Sequence, residues 1–240
     1  MEGLNTLRVL NQEIVACRRC PRLVEYREEI ARTKRRAYLD WDYWGKPVPG
    51  FGDPKARLLL IGLAPGAHGA NRTGRIFTGD SSGDFLYRAL YKAGFASQPQ
   101  SKSIDDGLKL HDAYISAAVR CAPPDNKPLP AEIRNCRPYL ERDLELLRHV
   151  QVVLALGRLA FDEYRGILVA QGRLPRKNGV VFAHGAEFRT GGPLLFASFH
   201  PSQQNTFTGK LTEAMFDALF ARIRRVLSRP TRTGGAILKS

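Results

Sequence analysis

Four cysteines constrain the fold of this 240-residue chain more than any other feature, because they must meet in space if they act together. Cys17 and Cys20 form a Cys-x-x-Cys pair, and Cys121 and Cys136 form a second, distant pair. Four thiolates select zinc or an iron–sulfur cluster over hard cations. Buried reduced thiols, or a redox pair, are the alternatives. The spacing predicts one four-cysteine metal centre and leaves the choice between zinc and a cluster open.

The chain is strongly basic. It has 37 Lys and Arg residues against 23 Asp and Glu, a net charge of +14. Such a charge attracts polyanions, and nucleic acid is the leading partner, with an ordinary solvated basic surface as the alternative. There is no apolar run of membrane-spanning length, and residues 1–10 lack a signal-peptide pattern. We therefore expect a cytoplasmic protein in a reducing compartment, which favours a metal over disulfides. We also expect a monomer that associates with the nucleoid.

Strand patterns alternate with helix patterns along most of the chain. This order predicts an α/β protein, with three α/β/α layers around a central, mostly parallel four-stranded sheet. The main predicted strands cover 57–62, 113–119, 151–156 and 194–199, and a short strand is predicted at 180–183. The predicted helices cover 5–16, 22–36, 82–92, 131–149, 158–168 and 212–227. We interpret 1–228 as one domain with an N-terminal helical, cysteine-bearing extension, and 229–240 as a basic, disordered tail.

Three unusual loops follow predicted strands, where ligands of such sheets collect. The first, residues 62–80, holds five glycines, which allow a ligand to approach the main chain closely. It leads into a helix whose N-terminus favours negative charge, with Ser81 or Ser82 as the predicted cap. The loop lacks both the P-loop and the G-x-G-x-x-G pattern. It is therefore a candidate site without a standard nucleotide-binding signature.

Side chains that are suited to binding or catalysis stand in all three loops. Phe77 either plugs the core or offers a face on which a base can stack. Asn126 belongs to the second loop, residues 121–128, and His200, followed by Pro201, belongs to the third, residues 198–202. A histidine before proline is often only a turn residue. The residues alone leave these alternatives open.

Four segments together bring a family to mind. They are GLAPGAHGANRTGRIFTGD with SSGDFL after it, RCAPPDNKP, SFHPS and the cysteine spacing. The chain resembles the iron–sulfur-containing branch of the uracil-DNA glycosylase superfamily, specifically the type-5 or B-type enzymes. The resemblance extends from Cys17 to the helix after Ser202. It implies a DNA repair hydrolase that cuts the N-glycosidic bond of a damaged base and leaves an abasic site.

The resemblance also implies roles for individual residues. A [4Fe-4S] cluster would be held by Cys17, Cys20, Cys121 and Cys136. The extruded base would be bound by Gly62, Ala64, Phe77 and His200, with Phe77 stacked on its face and His200 at its carbonyl edge.

Further implied roles concern catalysis and the DNA strand. Asp80, Asn126 and His200 would be catalytic, and Pro201 and Ser202 would press on the DNA strand. An aspartate before Ser-Ser-Gly is also an ordinary helix cap, so Asp80 has a structural alternative.

Two positions depart from the type-4 relatives. Leu63 stands where those enzymes have a glutamate, and Ala117 matches the asparagine that reads uracil. A wider pocket is therefore expected, one that also accepts hypoxanthine and xanthine. The alternatives are a non-catalytic nucleic-acid-binding protein with a structural metal, and a phosphate-handling α/β enzyme.

Overall fold

The computed structural model of the chain describes residues 6–176 and 179–229. The helices within these ranges are α1 (Leu7–Val15), α2 (Pro21–Thr33), α3 (Ala70–Thr73), α4 (Ser81–Lys92), α5 (Pro130–Leu146), α6 (Arg158–Ala170), α7 (Gln203–Phe207) and α8 (Glu213–Leu227). The strands are β1 (Phe51–Gly52), β2 (Leu58–Gly62), β3 (Ala113–Ala117), β4 (Val152–Leu156), β5 (Glu187–Phe188) and β6 (Leu194–Ser198). Apart from Arg229, the predicted disordered tail lies outside the described residues.

The strands form one sheet in the order β1-β3-β2-β4-β6-β5. The four central strands are parallel, and β2 pairs Leu58 with Ala113 of β3 and with Val152 of β4. The two-residue strands β1 and β5 run antiparallel at the edges. The predicted α/β class with a mostly parallel sheet is confirmed, and the sheet has two short edge strands beyond the four that were predicted.

The predicted strand at 180–183 is wrong. Residues 180–183 form no strand in the structure, and the side chain of Val181 is 66% exposed. The chain reaches β6 only from Gly185 onward, where Gly185 N donates to Ala197 O at 2.8 Å. The edge strand consequently forms at Glu187–Phe188 instead.

The central strands are buried on both faces, as parallel strands between helical layers must be. One face carries Leu58, Leu60 and Leu154, which pack with residues of α4 and α8. The opposite face carries Leu59 and Val153, which pack mainly with residues of α6. These are the expected three layers, and they leave the loops at the carboxyl ends of the strands free to build a site.

A smaller core joins the N-terminal helices to the rest of the molecule. Leu10 and Ile14 of α1 and Leu23 of α2 pack there with Cys121 and with Cys136 of α5. Helix α5 ends at Leu146, three residues before the predicted end, and α7 was not predicted. None of the described helices combines the length and apolarity needed to cross a bilayer.

Candidate active site and cysteine centre

The loops after β2, β3 and β6 border one cavity of about 750 Å³. The predicted site residues in its wall are Ala64, Phe77, Asp80, Asn126, His200 and Ser202. The cavity thus brings together side chains from all three loops, as their position after parallel strands led us to expect.

Four other positions relate to the cavity differently. Gly62 lies directly behind Phe77, because a Cβ at residue 62 would be 2.7 Å from Phe77 Cε2. Pro201 is buried and does not line the cavity. Leu63 is part of the wall, whereas Ala117 is buried in the core away from it. Only one of the two departures from the type-4 pattern therefore faces the cavity.

Phe77 is held in a backbone conformation that is rare for a bulky residue. Its φ is 52°, in the left-handed region. The first turn of α4 packs on it so closely that a Cβ at Gly83 would lie 1.8 Å from Phe77 O. Tyr87 of the same helix donates to Ile76 O at 3.0 Å. The strained backbone is thus fixed by α4, and the ring faces the imidazole of His200.

His200 is presented as a neutral ring. Burial lowers the pKa of His200 to about 4, so the imidazole carries no charge near pH 7. Its carbonyl oxygen accepts a 2.8 Å hydrogen bond from Asn205 Nδ2 of α7. A Cβ at Gly157 would lie 3.2 Å from His200 Cβ, so the absence of a side chain at this glycine before α6 leaves room for the histidine. A ring held in this way can donate an N–H without first being protonated.

Asp80 caps α4 and also faces the cavity. Its Oδ1 accepts from Gly83 N at 2.9 Å, so the predicted capping role of Asp80 is confirmed and the alternative caps Ser81 and Ser82 are wrong. A Cβ at Gly69 would lie 2.1 Å from Oδ2 and one at Gly66 would lie 3.0 Å from it. Burial raises the pKa of Asp80, and the backbone N–H groups at the cap partly offset this. One oxygen therefore serves the helix, and the other lies in a cradle of glycines.

Asn126 lies in a tight turn after β3. Asp125 and Asn126 have φ values of 54° and 56°, and Asn126 N donates to Pro123 O at 3.2 Å. Consecutive left-handed residues turn the chain sharply, and asparagine tolerates this conformation better than most residues. The turn holds Asn126 against the same cavity as Asp80 and His200.

The rim contains residues that the sequence analysis missed. Tyr26 of α2, Arg35 and Tyr38 of the following segment, and His68 of the Gly-rich loop all line the cavity. The available signal was weak: His68 stands inside the loop already singled out, whereas Tyr26 and Tyr38 belong to segments with no catalytic motif.

Arg72 contacts both the segment that carries Tyr38 and Trp41 and the Gly-rich loop. Its guanidinium carbon lies 3.9 Å from the ring centre of Tyr38 and 4.1 Å from that of Trp41. The same side chain donates to His68 O and Gly79 O, both at 2.8 Å. Because it is only 4% exposed, these contacts are well shielded from water. The rim is therefore tied to the loop that carries Phe77.

The four cysteines line one small cavity where α1, α2, α5 and the loop after β3 meet. Three of the sulfurs receive hydrogen bonds: Arg27 Nη1 donates to Cys121 at 2.9 Å, Arg120 N to Cys136 at 3.4 Å, and Asn135 Nδ2 to Cys20 at 3.5 Å. Such bonds suit thiolate sulfur, because N–H donors stabilise its negative charge.

The chemistry around the cysteines fits an anionic metal centre. Arg27 is 2% exposed, its Nε has no partner among the described residues, and its nearest carboxylate, on Glu28, is 3.7 Å from Nη2. A buried guanidinium needs compensating negative charge, which a thiolate-ligated centre supplies. Burial raises the pKa of Cys121 to about 12 and that of Cys136 to about 11, so a metal must displace their protons.

A site for a single metal ion requires that several ligands surround one point. The described residues contain no group of three or more His, Cys, Asp or Glu side chains placed to hold one metal ion. Zinc requires four ligands within about 2.3 Å of one atom, whereas a cluster distributes its thiolates over several iron atoms.

Comparison with known proteins identifies the class. The family model of the uracil DNA glycosylase superfamily matches residues 49–224. The chain belongs to this superfamily, whose name describes enzymes that act on DNA.

Individual relatives identify the branch of the superfamily to which the chain belongs. A type-5 uracil-DNA glycosylase of Thermus thermophilus is 53% identical over 216 residues, 90% of this chain and 95% of the relative. Type-5 enzymes of Mycobacterium bovis and Pyrobaculum aerophilum are 47% and 45% identical, covering 93% and 83% of this chain and 83% and 84% of their own lengths. The chain is a uracil-DNA glycosylase of the type-5 branch, which confirms the predicted resemblance and enzyme class over the non-catalytic and phosphate-handling alternatives.

Proposed function

We propose that this glycosylase removes hypoxanthine and xanthine as well as uracil from DNA, leaving an abasic site. The observation that carries the proposal is the convergence of Phe77, Asp80, Asn126 and His200 on one cavity of about 750 Å³. A volume in the upper part of the range for small-molecule sites leaves room for a purine as well as a pyrimidine. Leu63 in the wall supplies no polar group to select uracil.

The reaction begins with extrusion of the damaged nucleotide. Unstacking costs a few kcal/mol, which contacts in the pocket must offset. Stacking on the ring of Phe77 offsets part of the cost of unstacking. The basic surface of the chain contributes affinity for the DNA strand. We assign the contact with the strand beside the extruded nucleotide to Ser202 in the cavity wall, whereas the buried Pro201 before it restricts the backbone there and does not touch the strand.

Bond cleavage separates charge, and the side chains stabilise each charge where it develops. As the N-glycosidic bond stretches, its electron pair moves to the base and the sugar becomes cation-like. The neutral imidazole of His200 donates an N–H to the base oxygen that becomes negative. Asp80 Oδ2 stabilises the sugar and accepts a proton from the attacking water, whose oxygen bonds to the sugar carbon. Asn126 holds that water in line.

Substrate breadth follows from what the pocket lacks. A site that hydrogen-bonds every edge of one base rejects analogues strongly, whereas an apolar wall discriminates weakly. Ala117 is buried in the core, so it reads no base edge. The pocket therefore selects by shape and by the carbonyl that faces His200, a group that uracil, hypoxanthine and xanthine share.

Excision assays test this function. Duplexes with a single uracil, hypoxanthine or xanthine are incubated with enzyme and then treated with alkali, which cuts at abasic sites. We expect scission at all three bases, and strongly reduced scission with His200→Ala and Asn126→Ala. Scission at uracil alone would contradict the proposed breadth, and full activity of both variants would contradict the assigned site.

We further propose that Cys17, Cys20, Cys121 and Cys136 hold a [4Fe-4S] cluster with a structural role. The cluster would tie α1 and α2 to α5 and supply no step of hydrolysis. Iron and acid-labile sulfide measured on anaerobically purified protein test this. Four irons and four sulfides per chain are expected, whereas one zinc and a colourless protein would overturn it.

The oligomeric state and the cellular location of the enzyme stay predictions. A monomer, and a location on the DNA of the nucleoid, agree with the basic charge of the chain. Size-exclusion chromatography with light scattering tests the first, and microscopy of a fluorescent fusion tests the second.

A further inference from the structure

His68 lies in the wall of the catalytic cavity, and the proposed mechanism gives it no role. It stands between Gly66 and Gly69, the two glycines that make room for Asp80 Oδ2. Its carbonyl oxygen accepts the 2.8 Å hydrogen bond from Arg72 Nε. Its backbone is therefore fixed, and its imidazole is held at the rim of the cavity together with Arg35.

The neighbours of His68 determine which of its nitrogens carries the proton. The hydroxyl of Tyr43 accepts from Arg35 N at 3.3 Å and lies 3.1 Å from His68 Nδ1. Within residues 6–176 and 179–229, His68 Nδ1 is the one group in contact with this hydroxyl that could accept its proton, and we assign the proton to that contact. An imidazole that accepts at Nδ1 carries its proton on Nε2. The network thus leaves an Nε2–H for which no described residue is the acceptor.

The charge around His68 suits an anion. Burial, then the guanidinium groups of Arg35 and Arg72, lower the pKa of His68, so the ring stays neutral near pH 7. A neutral N–H donor close to a guanidinium is an arrangement that binds phosphate oxygens. On a DNA substrate, the anions nearest to an extruded base are the phosphates on either side of its sugar.

We propose that His68 and Arg35 form a phosphate subsite for the extruded nucleotide, with Tyr43 fixing the tautomer of His68. This inference rests on the proposed function, because the cavity must receive that nucleotide. A phosphate held at the rim sets the position of the attached sugar relative to Asp80, and positioning is what phosphate contacts supply. His68 is thus a binding residue, and Tyr43 is a positioning residue that acts through it.

A neutral phosphate analogue tests the subsite directly. Uracil duplexes are made with a methylphosphonate linkage on the 5′ or the 3′ side of the uracil nucleotide, one at a time. For one of the two, we expect the dissociation constant of the wild type to rise about tenfold, and that of His68→Ala to rise only about twofold, because the contact is already lost. An equal factor for both proteins at both linkages overturns the proposal.

Three variants sharpen the result. His68→Gln keeps an N–H donor and should restore most of the wild-type factor. Tyr43→Phe should give an intermediate factor, since the ring stays in place but loses its fixed tautomer. His149→Ala, at an exposed histidine three residues beyond α5, should behave as wild type. Thermal unfolding midpoints show whether each variant is folded.

The outcomes also separate the subsite from the proposed function. If His200→Ala and Asn126→Ala retain full excision activity, the cavity is not the active site and both proposals fail. If those variants are inactive but His68→Ala shows the wild-type methylphosphonate factor, only the subsite fails. A His68→Gln variant that behaves like His68→Ala would show that the N–H group is not the feature that matters.

Discussion

The ring centres of Phe77 and His200 lie 5.7 Å apart, with the ring planes inclined by 30°. A base inserted between two rings needs van der Waals contact of about 3.5 Å on each face, or about 7 Å in all. The base therefore cannot lie between these rings as they stand. It fits over the part of Phe77 that His200 leaves open, which brings the imidazole to the edge of the base.

One-sided stacking predicts the effect of removing the Phe77 ring. Phe77→Ala should weaken binding of uracil-containing DNA by about tenfold, and Phe77→Leu by less, because leucine keeps apolar contact without a ring face. Equilibrium binding by fluorescence anisotropy measures the loss. Tyr91→Ala, at a half-exposed aromatic residue of α4, is the matched control and should bind as wild type. Equal affinities for wild type and Phe77→Ala would contradict the stacking role.

The two oxygens of Asp80 allow its structural and catalytic roles to be separated. Asparagine caps helices as well as aspartate does, so Asp80→Asn should keep the free energy of unfolding within about 1 kcal/mol of wild type. The same change removes the carboxylate that accepts the proton, and excision should slow by at least about 100-fold. Single-turnover rates and urea unfolding measure the two effects.

A second helix provides the control for Asp80. Thr212 caps α8 by accepting from Met215 N at 3.2 Å, and it does not line the cavity. Thr212→Ala should lose about 1 kcal/mol of stability with an unchanged single-turnover rate. If Asp80→Asn excises uracil at the wild-type rate, Asp80 is a cap and nothing more.

The glycine cradle predicts a graded response at two positions. Gly69→Ala places a Cβ 2.1 Å from Asp80 Oδ2 and must displace the carboxylate, whereas Gly66→Ala meets it at 3.0 Å and disturbs it less. Excision should fall steeply for the first variant and mildly for the second. Gly166→Ala is the control, since its Cβ would meet only Arg137 at 3.6 Å. Equal rates for Gly69→Ala and wild type would show that the carboxylate position does not matter.

Much of this architecture could be read from the sequence, because it depends on local patterns. The buried strand at Leu58–Gly62 and the helix at Ser81–Lys92 follow from apolar runs and capping chemistry. The meeting of the three loops follows from parallel strands ending at one edge of the sheet. The roles of the residues in those loops stay predictions.

The features that escaped prediction depend on contacts between distant segments. Arg27 of α2 carries a charge, and charged side chains are rarely buried, yet it is 2% exposed and donates to Cys121. The left-handed φ of Phe77 follows from the packing of Gly83, which no local propensity encodes. The run at 180–183 has strand-forming residues but is not part of a strand in the structure. Pairing and burial decide such cases, and both belong to the folded molecule.

The contact between Arg27 and Cys121 predicts a role in retaining the metal. Arg27→Gln should lower the iron content of the purified protein and cost about 1 to 3 kcal/mol of stability, because a charged donor to sulfur is lost. Iron quantification and thermal unfolding measure this. Arg32→Gln, on the same helix but with a side chain 75% exposed, should match wild type in both. Full iron loading of Arg27→Gln with unchanged stability would contradict the assigned contact.

The low pKa of His200 predicts how stability depends on pH. The folded protein protonates this ring only near pH 4, whereas the unfolded chain does so near 6.5. Between these values the unfolded state binds more protons, so the free energy of unfolding must rise with pH from about 4 to about 6.5 and then level off. His200→Gln removes this contribution, and the stability gain between pH 5 and pH 7 should shrink by about 2 kcal/mol. Urea unfolding at both pH values measures it, with the exposed His149→Gln as the control that keeps the wild-type gain. An undiminished gain in His200→Gln would show that folding does not lower the pKa of this imidazole, which would contradict the burial that is said to hold the ring neutral.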